Sequence, residues 1–248
     1  MITTEKQINN SLLKWYKYNM RNLPWRVLQS NNLPNAYYVF VSEFMLQQTT
    51  VNTVKHRFEL FIKKWPSIDR LSSASEKQIL EFWSGLGYYS RARNLLKSAK
   101  IINTNYNNII PKTYDELIQL PGIGDYTAKA ILGIGFNKSV MPVDANIERI
   151  LARLHAINKP INKVKSKLKD LGNKFISNKY SSNLIQSFMD YGSEICLPRN
   201  PKCNICGINK FCQSYKKNLQ LKIPSKLKKK TIKPIKYTRA YVIENEKN

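Results

Sequence analysis

Apolar side chains recur at helical spacing along most of this chain. Residues 4–7 have the pattern of a capping box, and the apolar side chains after them share one helical face. An alternating run of useful length, typical of a strand, is not found before about residue 238. We therefore predict an all-α body. Its stripes and caps are Ile8, Leu12, Trp15 and Tyr16; Val51, Val54, Phe58 and Phe61, stopped by Pro66; Ser75 with Gln78; and Thr113 with Glu116.

The charge of the chain is strongly positive. Its 248 residues include 41 Lys and Arg against 16 Asp and Glu, which gives a net charge of +25. Because neutralising phosphates releases condensed counterions, this charge favours a nucleic acid partner. The alternative is compositional drift, since abundant Lys, Asn and Ile are also typical of an AT-rich genome. The excess is large enough to favour nucleic acid even when part of it is discounted.

Composition also bounds the domain number and the compartment. A hydrophobic content of 42% predicts a folded protein, and the length allows one large domain or two small ones. No apolar run approaches the length of a membrane-spanning helix, and Glu5, Lys6 and Gln7 do not fit a signal peptide. We expect an intracellular protein with no membrane partner, in the cytoplasm at the nucleoid.

All four cysteines lie in one short stretch, "CLPRNPKCNICGINKFC", with the spacing C-x6-C-x2-C-x5-C. In a reducing compartment such cysteines are metal ligands more often than disulfides. Zinc ribbons normally combine two close pairs, and here only Cys203 and Cys206 form one. Four thiolates can equally hold a [4Fe–4S] cluster. The spacing alone leaves both metals open.

Residues 113–134 contain two short helical segments joined by "LPGIG". Pro121 ends the first segment, and Gly122 and Gly124 permit backbone conformations that other residues resist. The second helix then begins near Asp125 with free N–H groups, which can bind a phosphate without any side chain. The alternative is an ordinary tight corner between helices. In a chain this basic, the phosphate-binding interpretation is favoured.

Two carboxylates stand in unlike surroundings. Glu43 lies in the apolar run "YVFVSEFML", where burial would raise its pKa and keep a proton available. Asp144 precedes a helical stripe, where N–H groups and the helix dipole would keep it ionised. The simpler interpretations are a structural charge and a helix cap. An acid and an electrostatic partner of this kind are what excision of a base from its sugar requires.

Six motifs occur together in the order found in one known family. They resemble the A/G-specific adenine glycosylase branch of the helix-hairpin-helix, endonuclease III-like DNA glycosylases, over roughly residues 4–215. The motifs are "LPW" with Arg26, "VSEFMLQQTTV" at 41–51, "WSGLGYYSRARNL" at 83–95, "LPGIGDYTAKAI" at 120–131, "VDANIERILARL" at 143–154 and "FMDYGSEIC" at 188–196.

The resemblance implies two helical domains flanking a DNA-binding cleft. Residues 28–136 would form a six-helix domain with the hairpin, and residues 1–27 with 137–215 an iron–sulfur cluster domain. Residues 216–248 would be a basic linker and the remnant first strand of a Nudix-like domain. The cysteine spacing resembles the family's cluster loop, so a [4Fe–4S] cluster is expected on Cys196, Cys203, Cys206 and Cys212.

The resemblance also implies the chemistry. Glu43 would protonate the adenine near N7, and Asp144, with Asn146 beside it, would stabilise the oxocarbenium-like sugar. Tyr126 stands where bifunctional relatives carry a Schiff-base lysine, and a phenol cannot form that imine. A monofunctional glycosylase is therefore predicted. Lys129, one helical turn later, leaves room for weak lyase activity.

The implied substrate is double-stranded DNA with adenine opposite 8-oxoguanine or guanine, bound by a monomer that flips the adenine out of the stack. Gln48 and Tyr88 match residues that wedge into the stack. Thr49 and Leu86 match contacts around 8-oxoguanine, although Leu86 and Tyr88 alone would predict core packing. Further DNA contacts are expected at Arg26, Gln47, Arg91, Gly122 and Gly124.

Other functions compete with this one. Thymine-mismatch glycosylases share a tyrosine at position 126, and an endonuclease III-like glycosylase with lyase activity is the related alternative. A degenerate damage-binding protein would not need both acids, and a zinc-binding transcription factor would lack iron. Because the sequence stops at Asn248, soon after "TRAYVI", most of the Nudix-like domain is missing from it. We expect base excision to be retained and discrimination of 8-oxoguanine from guanine to be weaker.

Overall fold

The computed structural model describes residues 3–26, 33–225, 237 and 239. Within these residues the regular structure is helical and no strand is present, which confirms the all-α prediction. No helix among them is long and apolar enough to cross a membrane. The α-helices are α1 (Thr4–Asn19), α2 (Ala36–Leu46), α3 (Val51–Lys64), α4 (Ile68–Ser72), α5 (Glu76–Trp83), α6 (Ser90–Tyr106), α7 (Tyr114–Ile118), α8 (Asp125–Ala130), α9 (Ala145–Leu154), α10 (Lys165–Asn173), α11 (Ser181–Glu194) and α12 (Gln213–Lys216).

Helix starts follow the predicted caps with one correction. Ser75 and Gln78 form the reciprocal capping box at the start of α5, with bonds of 3.2 and 2.9 Å. The Thr113 hydroxyl accepts the Glu116 N–H at 3.4 Å at the start of α7. The first helix is capped one residue earlier than predicted, because the Thr3 hydroxyl accepts the Lys6 N–H.

The predicted stripe of α3 faces the core. Val54, Phe58 and Phe61 are almost wholly buried, and the helix ends at Lys64, just before Pro66. Phe61 packs against Trp65, with ring centroids 4.9 Å apart. Burying large aromatic side chains of this kind contributes a large share of the stability of a small domain.

The helices pack in two groups that meet at one junction. In one group α4 and α5 pack on α6, α2 on α3, and α7 on α8; in the other α1 packs on α11, and α9 on α10, α11 and α12. The junction is the turn Ile131–Gly135, which continues α8 and contacts both α2 and α11. A Cβ atom at Gly133 would lie 2.2 Å from Ile185 Cδ1, so a larger residue there would force the Ile185 side chain to move. The domain boundaries given above stay a prediction.

The predicted linker begins with ordered structure. Ile223 is 1% exposed, and its carbonyl oxygen accepts a 2.9 Å bond from Arg153 Nε in α9. An apolar side chain and a buried arginine thus fix the start of the predicted linker to the body, and the linker assignment of residues 216–248 stays a prediction. The basic run that follows and most of the predicted strand lie outside the described residues.

Candidate active site

One cleft of about 370 Å³ collects the acidic residues that the sequence analysis singled out. Glu43 comes from α2, Tyr126 from the first turn of α8, and Asp144 from the residue before α9. Asn146 lines the same cleft. The junction between the two helix groups thus brings two carboxyl groups that are distant in sequence to a shared space.

Glu43 is held in an environment that keeps its proton. Helix α2 is buried along most of its length, and Glu43 itself is only 7% exposed. Burial, with a smaller contribution from the negative charge of Asp144, raises the pKa of Glu43 from 4.5 to about 8, while hydrogen bonding with Tyr126 opposes the shift. Glu43 is therefore largely protonated at neutral pH, as the sequence predicted.

Asp144 caps α9 and is oriented by several donors. Its Oδ1 accepts the Ile147 N–H at 2.8 Å, and its Oδ2 accepts the Asn146 side-chain amide at 2.9 Å. Burial nevertheless raises the pKa of Asp144, although these bonds and the charge of Arg149 lower it. The donors predicted for this helix start are present and lower the pKa of Asp144, but desolvation outweighs them in the direction of the net shift.

Tyr126 is a buried phenol in the same cleft. Burial and the two neighbouring carboxylates raise the pKa of its phenol well above the usual range, so it stays neutral. The nearby Lys129 binds Asp125 with a distance of 2.8 Å between Nζ and Oδ1, and Lys169 binds the other oxygen at 2.7 Å. Lys129 is not among the described residues that line the cleft.

A buried ion pair forms one wall of the cleft. Asp190 in α11 is fully buried and binds Arg26 through two bonds of 2.6 and 2.8 Å, and Arg21 Nε at 2.6 Å. Both arginines line the cleft. Asp190 occupies the guanidinium of Arg26 in this structure, and the DNA contact expected of Arg26 stays a prediction. Sequence reasoning missed Asp190 and Arg21, whose partners are more than 160 positions away.

Two exposed loop residues beside the cleft have an uncommon backbone conformation. Gln48 and Tyr88 have φ angles of +58° and +49°, in the left-handed region that side chains other than glycine rarely adopt. Tyr88 is 60% exposed, whereas the nearby Leu86 is buried at 6%. Thr49 lines the cleft. Strained, exposed residues of this kind cluster at binding sites, which fits the predicted wedge residues.

Arg91 in α6 fixes both loops from inside. Its Nη2 donates to the carbonyls of Leu86 and Gly87 at 2.8 and 3.0 Å. Its Nη1 donates to Met45 at 2.9 Å and also to Gln47. Arg91 is 6% exposed, and the direct DNA contact expected of it stays a prediction. A buried guanidinium can satisfy several carbonyls at once, and here it holds the ends of two loops together.

The hairpin has the predicted shape. Gly122 has a φ of +81°, and a Cβ atom there would lie 2.8 Å from both Asn94 Cβ and Phe44 Cε1. Gly124 is the N-cap of α8, and a Cβ there would meet nothing within 4 Å, so the face in front of the helix is open. Gln47 Nε2 donates to the Gly122 carbonyl at 3.2 Å and links the hairpin to α2.

The sequence matches a family model over residues 41–174, more than half of the chain, and this match includes Glu43, Tyr126 and Asp144. The model describes the HhH-GPD superfamily of base excision DNA repair proteins. This chain belongs to the HhH-GPD superfamily. The helical hairpin and the cleft described above are thus those of a superfamily member.

Individual proteins agree with this assignment. The chain is 43% identical over 229 residues to the adenine DNA glycosylase of Buchnera aphidicola subsp. Baizongia pistaciae, and 39% identical over 213 residues to that of Rattus norvegicus. These alignments cover 90% and 84% of this chain but 63% and 41% of the relatives, so the chain spans less than two thirds of either.

Solved structures show the same fold. The structure of a thermostable thymine-DNA glycosylase matches with a TM-score of 0.76 at 25% identity, covering 86% of this chain and 97% of that one. A non-covalent endonuclease III–DNA complex matches with a TM-score of 0.71 at 20% identity, covering 89% and 100%. Because the endonuclease III structure is only 20% identical, its match supports the fold of this chain and no functional conclusion.

The four cysteines of this HhH-GPD protein line a single small cavity. The walls are largely apolar, with Ile150, Leu154, Ile195 and Ile208 among them. Among the described residues, no group of three or more His, Cys, Asp or Glu side chains is placed so that it could hold a single metal ion. Two of the sulfurs accept side-chain hydrogen bonds: Cys196 from Arg153 Nη1 and Cys206 from the Tyr191 hydroxyl, both at 3.3 Å. Four cysteines around one cavity, two of them with side-chain donors to sulfur, are compatible with a thiolate-bound group.

Arg149 connects the cysteine cavity to the cleft, and the sequence analysis missed it. Its Nε donates to the Cys196 carbonyl at 2.7 Å, and its Nη2 donates to Asn146 Oδ1 at 2.8 Å. Asn146 in turn donates to Asp144. The only sequence signal is an arginine beside the apolar stripe of α9, which by itself indicates a solvated charge.

Proposed function

We propose that this chain is a monofunctional adenine DNA glycosylase, which hydrolyses the N-glycosidic bond of adenine mispaired with 8-oxoguanine or guanine in double-stranded DNA. The observation that carries the proposal is the shared cleft of Glu43 and Asp144. A carboxyl with a pKa of about 8 can donate a proton to a leaving base at neutral pH. Adenine is proposed as the excised base because the relatives to which the chain is similar are named adenine DNA glycosylases.

The two acids would act on opposite ends of the bond that breaks. Glu43 donates its proton to the flipped adenine, which then leaves as a neutral base. Asp144, oriented by Ile147 and Asn146, stabilises the positive charge that develops on the sugar. Water adds to the sugar and completes hydrolysis. In the Michaelis complex Asp144 must be ionised, and the approaching cationic sugar favours that form.

The absence of an amine at position 126 limits the reaction to base excision. The neutral Tyr126 phenol cannot form an imine with the sugar, and the Lys129 ammonium is paired with Asp125. The product is thus an intact strand with an abasic site. Gln48 and Tyr88 would occupy the space that the flipped adenine leaves in the stack, since both project from loops fixed by Arg91.

The cysteine cavity would hold a [4Fe–4S] cluster on Cys196, Cys203, Cys206 and Cys212. The cluster supplies a rigid cross-link for the basic loop that contains Arg199 and Lys202, which would contact the DNA backbone. Arg153 supports the same loop, because its guanidinium donates to the carbonyls of Leu197 and Pro198 at 2.7 and 3.3 Å. The hydrolysis itself requires no electron transfer.

Single-turnover excision tests the function directly. Duplexes with a labelled adenine opposite 8-oxoguanine or guanine are incubated with the protein, and abasic sites are revealed by alkali. We expect cleavage only after alkali and no trapping by borohydride. The Glu43→Gln variant is the control for excision that depends on this acid. Strand cleavage without alkali, or a borohydride-trapped adduct, would instead identify a bifunctional lyase.

Thymine excision is the second candidate, because the thymine-DNA glycosylase structure is a close structural match. A duplex with thymine opposite guanine in the same sequence context separates the two. We expect adenine to be released and thymine to be retained. Release of thymine at a comparable rate would reverse the assignment, and binding without release of either base would indicate a damage-binding protein.

A further inference from the structure

The ring of Tyr191 is immobilised next to the cysteine cavity. Tyr191 lies in α11 and is 1% exposed. Its ring packs edge-on against Trp15 of α1, with centroids 5.0 Å apart and an interplanar angle of 82°. The orientation of its hydroxyl is therefore set by the packing of two helices.

The hydroxyl proton of Tyr191 points at a cysteine sulfur. Its oxygen lies 3.3 Å from Cys206 Sγ, and the backbone N–H of Gly207 hydrogen bonds to the same oxygen. Because that oxygen accepts the Gly207 N–H, the phenol donates its own proton to Cys206. The Ile208 N–H also hydrogen bonds to this sulfur. Cys206 thus has two donors directed at it.

This arrangement distinguishes Tyr191 from Arg153, the other side chain in the described residues that donates to a cysteine sulfur. Arg153 also holds the carbonyls of Leu197, Pro198 and Ile223, so replacing it would disturb the whole loop. Among the described residues, the Tyr191 hydroxyl donates to one side-chain atom, the sulfur of Cys206. Its removal takes away this bond and the acceptor of the Gly207 N–H, and leaves the other supports of the loop in place.

We propose that Tyr191 is a positioning residue that makes the cluster bound to Cys206 harder to oxidise; the inference rests on the iron–sulfur cluster of the proposed function. A hydrogen bond to a ligating thiolate draws electron density from the sulfur and favours the more reduced cluster. Loss of the bond lowers the midpoint potential, so the cluster gives up an electron to a one-electron oxidant more readily.

The test compares Tyr191→Phe with Tyr215→Phe in the full chain loaded with iron and sulfide. Tyr215 lines the same cavity, but its hydroxyl bonds to none of the four sulfurs in the described structure. The midpoint potential is measured by voltammetry, and cluster loss is followed by visible absorbance after ferricyanide, which is reduced to ferrocyanide. We expect Tyr191→Phe alone to have a lower potential and to lose absorbance about twofold to tenfold faster, the range that one hydrogen bond implies.

The outcomes separate this inference from the proposed function. A loaded Tyr191→Phe protein with the wild-type potential would overturn the role of the hydroxyl, even if its stability changed. An equal shift in Tyr215→Phe would also overturn it, because a general disturbance of the loop would then be the cause. Wild-type protein that binds zinc, or no iron, would refute the cluster itself and leave the excision assay unaffected.

Discussion

Two buried acids, Glu43 and Asp190, lie close to the same cleft and have opposite surroundings. Asp190 is fully buried and bound by Arg21 and Arg26, so its charge is compensated. Glu43 is 7% exposed, and the groups that act on it are a carboxylate and a neutral phenol. Because its charge is paired with two arginines, Asp190 has a structural role. No cation among the described residues is paired with Glu43, which stays protonated and chemically competent, at a cost in stability that develops as the pH rises from 4.5 to about 8.

The largest expected effect is the loss of excision in Glu43→Gln. The amide keeps the shape of the side chain but has no acidic proton, so the single-turnover rate should fall by about 10³-fold or more. A matched control is Glu59→Gln, which removes an exposed acid from α3. A rate within about tenfold of wild type would contradict the role of Glu43 as the proton donor.

The same substitution should stabilise the protein, in contrast to its effect on activity. The pKa of Glu43 rises from 4.5 to about 8 on folding, so the wild type loses stability as the pH increases through that window. The glutamine variant is free of this loss, and its free energy of unfolding should exceed that of wild type by up to about 5 kcal/mol above pH 8. A difference in urea midpoint between Glu43→Gln and wild type that is the same at pH 5 and at pH 9 would contradict a buried, protonated Glu43.

Asp190→Asn should destabilise the protein, whereas Glu43→Gln should stabilise it. Removing this charge leaves the guanidinium groups of Arg21 and Arg26 without their partner in a largely buried wall, which costs about 3 kcal/mol. The free energy of unfolding from urea titration measures this loss. Asp170→Asn, on the exposed face of α10, is the matched control and should be close to neutral. If the two variants were equally stable, Asp190 would not have a structural role.

Sequence reasoning was effective where the signal is local. The capping box at Ser75, the N-cap at Asp144 and the hairpin glycines each depend on residues within one or two helical turns, and all are present in the structure. The pattern "YVFVSEFML" correctly predicted a buried Glu43. These elements could be read from the sequence because neighbours along the chain determine their geometry.

The same reasoning missed partners that are distant in the chain. Arg26 and Arg91 were expected to contact DNA because their motifs resemble those of the family, and their partners within the protein were not predicted. Asp190 binds one of them and loop carbonyls bind the other, and no spacing rule predicts such pairs. The burial of Asp144 was not predicted for a related reason, since its capping bonds are local but its burial depends on the packing of two helix groups.

Arg91→Lys should slow excision by about tenfold, through loss of part of the hydrogen bonds that orient the loops. Lysine keeps the charge but cannot satisfy the Leu86 and Gly87 carbonyls together with those at the end of α2. Arg93→Lys, an exposed change on the same helix, is the control. Affinity for undamaged duplex should stay unchanged in both variants. A large loss of that affinity in Arg91→Lys alone would favour direct contact with phosphate.

The smallest expected effect is a shift in the pH profile of excision. The rate of the wild type should decline above about pH 8, as Glu43 loses its proton. Hydrogen bonding with Tyr126 lowers the pKa of Glu43, so Tyr126→Phe should move this decline to higher pH by about one unit or less. Tyr37→Phe, on the same helix as Glu43, loses a hydroxyl that donates to the Trp65 carbonyl and should leave the profile in place. A decline that moves to lower pH in Tyr126→Phe would mean that the phenol stabilises the protonated form of Glu43. The hydrogen bond with Tyr126 would then raise the pKa of Glu43 instead of lowering it.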